Sequence, residues 1–419
     1  MEGLEEAIKP LADKIAKMIE LSSRNSFMHN HYAKAPTAQL IDSLIQHAAL
    51  AGASDIHFEP GESCCRVRFR IDGRLSTACR LPSLLSSYLA SCLKLMTGMD
   101  IAEKRLPQDG SLTYGQERMD IRASSIPTVE GEKIVLRLLG SAGRLRCLED
   151  MGFSADNLTL FKRLIKSAGG IIAITGPVNS GKSTLLYSVL NLLNESDVNI
   201  VTIEDPVEMK LPGINQMQVN QKAGMTFAAG LRAVLRQDPD IVMIGEIRDE
   251  TTAHEAVRAA LTGRLVLTTL HAANAAGVPA RLIDMGISPP MLAITLLAGT
   301  AQRLVRTVCP HCAEEYRPKV NSLEAVVLGK SFHEGLILKR GTGCEHCRHS
   351  GYSGRTALQE IMTVSDAARA LIAKGSADLK LKRLLRLGGM KTMLDDGREK
   401  VLSGITTAQE VWRVLNGIS

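Results

Sequence analysis

Gly176, Gly181, Lys182 and Ser183 stand in the order G-x-x-x-x-G-K-[ST], inside the run IIAITGPVNSGKST at 171–184. That spacing suits one chemistry. A wrapped loop leading into a helix N-terminus aims backbone N–H groups at polyphosphate oxygens. Lys182 adds a positive charge at the β- and γ-phosphates, and the Ser183 hydroxyl can ligate Mg²⁺. The segment Gly176, Pro177, Val178, Asn179, Ser180, Gly181, Lys182, Ser183, Thr184 is therefore a candidate loop for ATP and Mg²⁺. Asn179 sits where such loops often carry another glycine. Asparagine tolerates positive φ better than most residues, so the loop is expected to close.

Three further positions belong to the same chemistry. Ile241–Ile244 reads as a buried strand, followed by Gly245 and Glu246. An acid at that strand end sits beside the phosphate loop, where it can act on Mg²⁺ or on the attacking water. Glu204 opens a second acidic group, EDPVE at 204–208, after a strand at 198–203. It is either a solvated turn or a part of the active site, and its place at a strand's C-terminal end favours the second. His271 follows the strand 265–270 on the same edge. A lone histidine is commonly structural; here a γ-phosphate sensor is the competing reading.

A different chemistry is carried by Cys309-Pro-His-Cys312 and Cys344-Glu-His-Cys347. Two C-x-x-C knuckles are the ligand pattern of tetrahedral Zn²⁺. Four thiolates leave no open coordination position, so the metal is expected to be structural. The alternative is four reduced thiols in a loop. Cys64, Cys65, Cys79, Cys92 and Cys147 lack such spacing and read as buried small apolar residues.

These residues need elements to hold them. From 151 to about 304, apolar strands at 171–175, 198–203, 241–244 and 265–269 alternate with helices, the pattern of a mostly parallel doubly wound sheet. Residues 305–350 read as a cysteine-bearing insertion and 356–419 as mostly helical. Upstream, a helix at 37–51 and strands at 55–59, 65–71 and 112–123 form a smaller α/β domain over 35–140, with 141–150 as linker. Leu4, Ile8, Leu11, Ile15, Met18 and Ile19 recur at helical intervals, although Pro10 interrupts them. That amphipathic helix packs on the body or binds a partner, and 22–34 is a loop. The chain has 419 residues, with 45% hydrophobic and 22% charged content, which is ordinary globular composition. A net charge of +6 with only 7 Phe, 6 Tyr and 1 Trp gives few stacking platforms, so no nucleic-acid role is expected. No apolar run reaches spanning length and the N-terminus MEGLEEAIK lacks a signal pattern, so a cytoplasmic location is expected.

The order GPVNSGKST, TIEDPVE, LRAVLRQDPDIVMIGEIRD, TGRLVLTTLHAAN, AQRLVRTVCPHC, GYSGRTALQEIM resembles the secretion ATPases of type II secretion and type IV pilus assembly. Upstream, SDIHFEP, RFRIDG, LPQDGS and VEGEKIVLRLL resemble that family's N-terminal domain. The resemblance covers about 35–419. It implies a RecA-like P-loop ATPase domain, a smaller PAS-like N-terminal α/β domain and a zinc-binding insertion. It also implies a homohexamer, peripheral to the inner membrane through a platform protein, that hydrolyses ATP to assemble pilins or pseudopilins. By motif position, Lys182, Ser183, Glu204, Glu246 and His271 carry over as site residues. Arg122 and Arg137 match arginines that reach over the nucleotide. The family often reads TGH where this chain has Arg264, and a separate domain that larger members carry at the N-terminus is not found.

Three other readings compete. A retraction motor has a similar core but usually lacks the four cysteines. A DNA-conjugation ATPase is a relative disfavoured by the same cysteines. A nucleotide-gated scaffold with little turnover is hinted at only by Arg264 and Asn179. In a ring, Arg232 and Arg236 are candidates for an arginine supplied to a neighbour's site, being four apart on an expected helix. The alternative is a basic patch paired with Asp238 and Asp240.

Overall fold

The structure, a computed structural model, describes residues 9–10, 12–17, 34–115, 119–139, 145–375 and 379–417. The chain divides into two compact units, residues 1–144 and 145–419.

The first unit is a six-stranded antiparallel sheet with helices α1 (Lys34–Leu50) and α2 (Leu85–Met96) on one face. Its strands are β1 (Ala53–Glu59), β2 (Cys64–Ile71), β3 (Arg74–Pro82), β4 (Gln108–Tyr114), β5 (Met119–Thr128) and β6 (Gly131–Leu139), in the order β3-β2-β1-β6-β5-β4. Alternation decides the faces. Ile56, Phe58, Val67, Phe69, Ile134 and Leu136 point to the core with Leu40, Leu44, Leu89 and Leu93. Asp55, His57 and Glu59 point the other way, beside Arg66, Arg68, Arg70 and Lys133. Of the amphipathic N-terminal segment, 12–17 are helical, and Ala12 and Ile15 lie in this core. Leu4, Ile8, Leu11, Met18 and Ile19 lie outside the described residues, as does most of the 22–34 loop.

The expected single strand 112–123 is two strands. Gly115 takes a left-handed φ of 70° that an extended chain cannot carry, and Tyr114 pairs back on Met119. Of the five cysteines expected to be buried, Cys65 and Cys79 are, Cys64 and Cys92 are half-buried, and Cys147 is exposed. Cys147 precedes a short 3₁₀ turn, Leu148–Met151, whose Leu148 and Met151 take the places in the second unit's core.

The second unit is built on a seven-stranded sheet. In order along the chain come α3 (Ala155–Leu164), β7 (Gly170–Thr175), α4 (Lys182–Leu193), β8 (Ile200–Glu204), β9 (Asn215–Gln218), α5 (Phe227–Val234) and β10 (Ile241–Ile244). Then follow α6 (Glu250–Leu261), β11 (Leu265–Leu270), α7 (Val278–Asp284), α8 (Pro289–Thr295) and β12 (Leu296–Val308). The small hairpin β13 (Ala313–Tyr316) and β14 (Leu338–Gly341) with α9 (Leu323–Leu328) precedes β15 (Tyr352–Thr363). Helices α10 (Asp366–Ala373), α11 (Leu379–Leu387), α12 (Met393–Leu402) and α13 (Ala408–Leu415) close the chain. The sheet order is β15-β12-β7-β11-β10-β8-β9, parallel throughout except for β12–β15. The fold is α/β.

Every residue of β7, β8, β10 and β11 is buried, because helices cover both faces of a parallel sheet. Two boundaries differ from expectation. The cysteine insertion starts at 309 rather than 305, since β12 runs on to Val308. The C-terminal region is not helical from 356. Ala357–Met362 is buried throughout and pairs with β12, and helix begins only at Asp366.

Candidate functional site

Strand β7 lies between β11 and β12 and delivers the chain to Gly176. A Cβ at Gly176 would stand 2.4 Å from the Gln302 carbonyl oxygen and one at Gly181 would stand 2.8 Å from Gln302 Nε2, so both positions need glycine. Gly181 also has a φ of 85° immediately before α4. Asn179 takes a φ of 64°, the left-handed conformation that asparagine accepts. Pro177, Val178, Asn179 and Thr184 are exposed, Ser183 is half-buried, and Ser180 is buried beneath the loop. Lys182 reaches back over the loop, its Nζ donating to Gly176 O at 2.8 Å and Pro177 O at 2.9 Å. Desolvation lowers its pKa, while Glu246 and Glu208 oppose that shift. A half-buried ammonium whose acceptors are neutral carbonyls is suited to an anionic ligand. The glycine cradle, the start of helix α4 and Ser183 thus fit a Mg²⁺-nucleotide.

Glu246 and His271 come together beside the loop. His271 Nε2 lies 3.7 Å from Glu246 Oε2, and Arg248 Nη2 lies 2.5 Å from Glu246 Oε1. Their strands are tied at this end. Thr269 Oγ1 donates to Gly245 O at 2.7 Å. Thr175, the last residue of β7, donates to Ala272 O at 2.8 Å and accepts from Ala272 N at 2.7 Å. These two hydrogen bonds pin the turn carrying His271 against the start of the phosphate loop. Thr175 was not singled out by the motif; as the residue before Gly176 it could have been.

Glu204 is buried, not a solvated turn. Its Oε1 accepts from Thr202 Oγ1 at 2.5 Å and Gln216 Nε2 at 3.0 Å, and its Oε2 from Tyr187. Tyr187 Oη in turn accepts from Glu208 N at 3.0 Å. Burial and Glu204 push the Tyr187 phenol well above its ordinary pKa, so it remains a donor. The carboxylate therefore holds the acidic loop in place through Tyr187.

The arginines separate. Arg236 lies in the turn beyond α5, which ends at Val234, so the two arginines do not share a helix face as expected. Arg236 Nη1 donates to Arg232 O at 2.8 Å, and Arg232 Nη1 lies 3.5 Å from Glu255 Oε1. The expected pairing with Asp238 and Asp240 is not what these two residues make. Asp238 faces Arg264 at 3.6 Å, and Asp240 accepts from Asn199 N at 2.7 Å. Arg264 precedes β11, at the opposite end of that strand from His271. In the first unit, Arg137 pairs across the sheet with both Asp55 and Arg122, and its Nε lies 3.0 Å from Asp55 Oδ1.

The four cysteines converge. The Sγ atoms of Cys309, Cys312, Cys344 and Cys347 lie within 4.8 Å of one another, with Cys309–Cys344 at 3.9 Å and Cys312–Cys347 at 3.7 Å. Tetrahedral zinc with thiolate bonds near 2.3 Å needs sulfurs roughly 3.8 Å apart. Backbone N–H groups point at the sulfurs, Gly343 N to Cys312 Sγ at 3.3 Å and Cys344 N to Cys347 Sγ at 3.2 Å. Desolvation works against a Cys347 thiolate, but hydrogen bonds from the N–H groups of Cys344 and Gly351 and from the Cys312 and Cys344 thiols outweigh it and bring the thiol down to about 6. Desolvation and the neighbouring thiols push Cys312 up to about 11. The donor set fits a zinc ion.

Residues 30–413 match the family described as Type II/IV secretion system protein. The Type II secretion system ATPase E of Vibrio cholerae is 45% identical over 405 residues, spanning 96% of this chain and 80% of that protein. The Type IV pilus assembly ATPase PilB of Thermus thermophilus is 46% identical over 375 residues, spanning 89% of this chain but 42% of that protein. Among solved structures, the pilus retraction motor PilT with bound ADP superposes with a TM-score of 0.61 at 25% identity, covering 88% of this chain and 94% of that one. The ATPase DotB of Yersinia pseudotuberculosis shares the fold, with a TM-score of 0.66 at 21% identity over 91% of this chain and 94% of that one. With a family match over nearly its whole length and relatives near 45% identity, the chain belongs to the type II/IV secretion system protein family.

Proposed function

We propose that this protein is the ATP-hydrolysing motor of a type II secretion, type IV pilus or related assembly system. The observation that carries it is the Lys182 ammonium drawn across a glycine-cradled loop, with Glu246 and His271 paired at the neighbouring strand ends. In this reading the loop N–H groups and Lys182 bind the phosphates, and Ser183 is the protein's ligand for Mg²⁺, which neutralises phosphate charge. Glu246 orients the attacking water and His271, through Glu246, responds to the γ-phosphate. Glu204 keeps the acidic loop in place. Arg122 and Arg137 are the arginines that supply charge toward the nucleotide. Arg236, with Arg232 beside it, serves a neighbouring subunit's site in a homohexameric ring. Zn²⁺ on Cys309, Cys312, Cys344 and Cys347 is structural.

Assembly is favoured over retraction by the identities. Relatives at 45–46% are named for secretion and pilus assembly, whereas the retraction motor stands at 25%. No helix among the described residues is long and apolar enough to cross a membrane, which suits a motor that docks on an inner-membrane platform protein from the cytoplasm. The test is phosphate release by the purified chain with and without Mg²⁺. Activity should require Mg²⁺ and vanish in Lys182→Ala at unchanged melting temperature. Undiminished turnover in that folded variant removes the loop from the chemistry. Binding without turnover in the wild type would favour the nucleotide-gated scaffold.

A further inference from the structure

Beneath the phosphate loop lies a buried amide to which the motif chemistry assigns no role. Gln302, on β12, has no exposed surface. Both loop glycines close down on it, as the Cβ distances at Gly176 and Gly181 show. Its Nε2 donates to Ser180 O at 2.7 Å. Ser180 Oγ is buried without a hydrogen-bond partner among the described residues, so the hydroxyl does not share in anchoring the loop.

The direction of this contact is forced. A peptide carbonyl only accepts, so Gln302 must present its NH₂ to Ser180 and its Oε1 to the other side. There Gln359 Nε2 donates to it at 2.8 Å. Gln359 is the register partner of Gln302 on β15 and is itself fully buried. The backbone N–H of Gln359 donates to Asp396 Oδ2 at 2.8 Å, and Lys400 Nζ donates to the same oxygen at 2.5 Å. Asp396 and Lys400 are buried residues of α12. The next residue of β15 adds a second tie, Glu360 accepting from Met393 N at 3.1 Å. A line of buried polar contacts thus runs from the loop carbonyl to helix α12, passing through Gln359 from its side-chain NH₂ to its backbone N–H, while its own Oε1 has no hydrogen-bond partner among the described residues. Buried donors and acceptors are costly to leave unmade, so the two ends cannot shift independently.

We propose that Gln302 is a positioning residue for the phosphate loop: its amide sets the loop's curvature at Ser180, and through Gln359 and Asp396 it makes that curvature depend on the seating of helix α12. The inference rests on the reading of 176–184 as a nucleotide site. It gives the C-terminal helices a route by which contacts made outside the site alter nucleotide affinity.

The experiment measures the affinity of the full-length protein for a fluorescent ATP analogue with Mg²⁺, alongside melting temperature. Gln302→Leu, which strands the Ser180 carbonyl, should weaken binding about tenfold. Gln359→Leu and Asp396→Asn should each weaken it about threefold. Gln302→Leu/Gln359→Leu should bind no more weakly than Gln302→Leu alone, because the relay passes through Gln302. Lower melting temperatures with wild-type affinity would reduce the line to a structural one and overturn the proposal, and so would additive losses in the double variant. If Gln302→Leu does not fold, Gln359→Leu and Asp396→Asn decide: weaker binding supports the relay and wild-type binding overturns it. Lys182→Ala separates the two levels. If it abolishes binding while the relay variants bind as wild type, only the relay falls. If it binds as wild type, the nucleotide site falls first.

Discussion

Replacing Glu204 by Gln separates two roles for the acidic loop. The carboxylate accepts from Thr202, Gln216 and Tyr187, and Tyr187 also accepts the Glu208 N–H. An amide keeps one oxygen. Its NH₂ does least harm on the Tyr187 side, but Tyr187 Oη already has the Glu208 N–H as a donor. At least one charge-assisted bond is lost, worth about 2 kcal/mol. Tyr187→Phe deletes the same bond from the other end and leaves the Glu208 N–H unpaired, again about 2 kcal/mol. Urea unfolding should show both losses, and steady-state hydrolysis should show kcat falling by a similar factor, on the order of tenfold, in each. The double variant should be little worse than either single one, since both release the same loop. The result that refutes this is a split. If Glu204→Gln lowers kcat more than about a hundredfold, the range for losing a general base, while Tyr187→Phe turns over as wild type, the carboxylate does the chemistry itself.

Three further outcomes are expected. Elemental analysis should find one zinc per chain, and Cys344→Ser should lose it with a clear fall in melting temperature; a metal-free wild type of full stability would remove the zinc assignment. Burial works to raise the Glu410 carboxyl, but hydrogen bonds from Arg413 and Arg306 outweigh it and hold it at about 2, below its ordinary 4.5. A depressed carboxylate stabilises the fold above pH 4.5 and loses that contribution as pH falls toward 2, up to about 3 kcal/mol in all. In urea titrations Glu410→Gln should flatten the stability profile across that window, and an unaltered slope would refute the assignment. Finally, mixing inactive Arg236→Ala with inactive Glu246→Gln should restore part of the hydrolysis in mixed rings, and silence at every ratio despite mixed rings would dismiss Arg236 as a trans arginine.

What could be read from the sequence was whatever depends on local spacing. The phosphate loop, its strand, the two cysteine knuckles and the alternating buried strands are each set within a few residues, so periodicity and motif chemistry suffice to find them. Glu246 and His271 were found because each ends an apolar strand of a parallel sheet, and such ends share one edge. The misread segments carry mixed signals. Residues 112–123 alternate on both sides of Gly115, and only its left-handed turn shows that they are two strands. Residues 357–362 read ALQEIM, mostly strong helix formers, and only β12 supplies the hydrogen-bonding partner that makes them a strand.

The tertiary structure alone decided how these parts work on one another. It buried Glu204 among three donors that lie 17, 2 and 12 residues away. It placed Gln302 under a loop 122 residues earlier in the chain, and set Arg264 at the far end of the strand that carries His271. Side-chain direction and the choice of partner across the sheet depend on register between distant segments. Nothing in the local order of residues states that register, because it is settled only when the strands pack and every buried donor and acceptor must find its match.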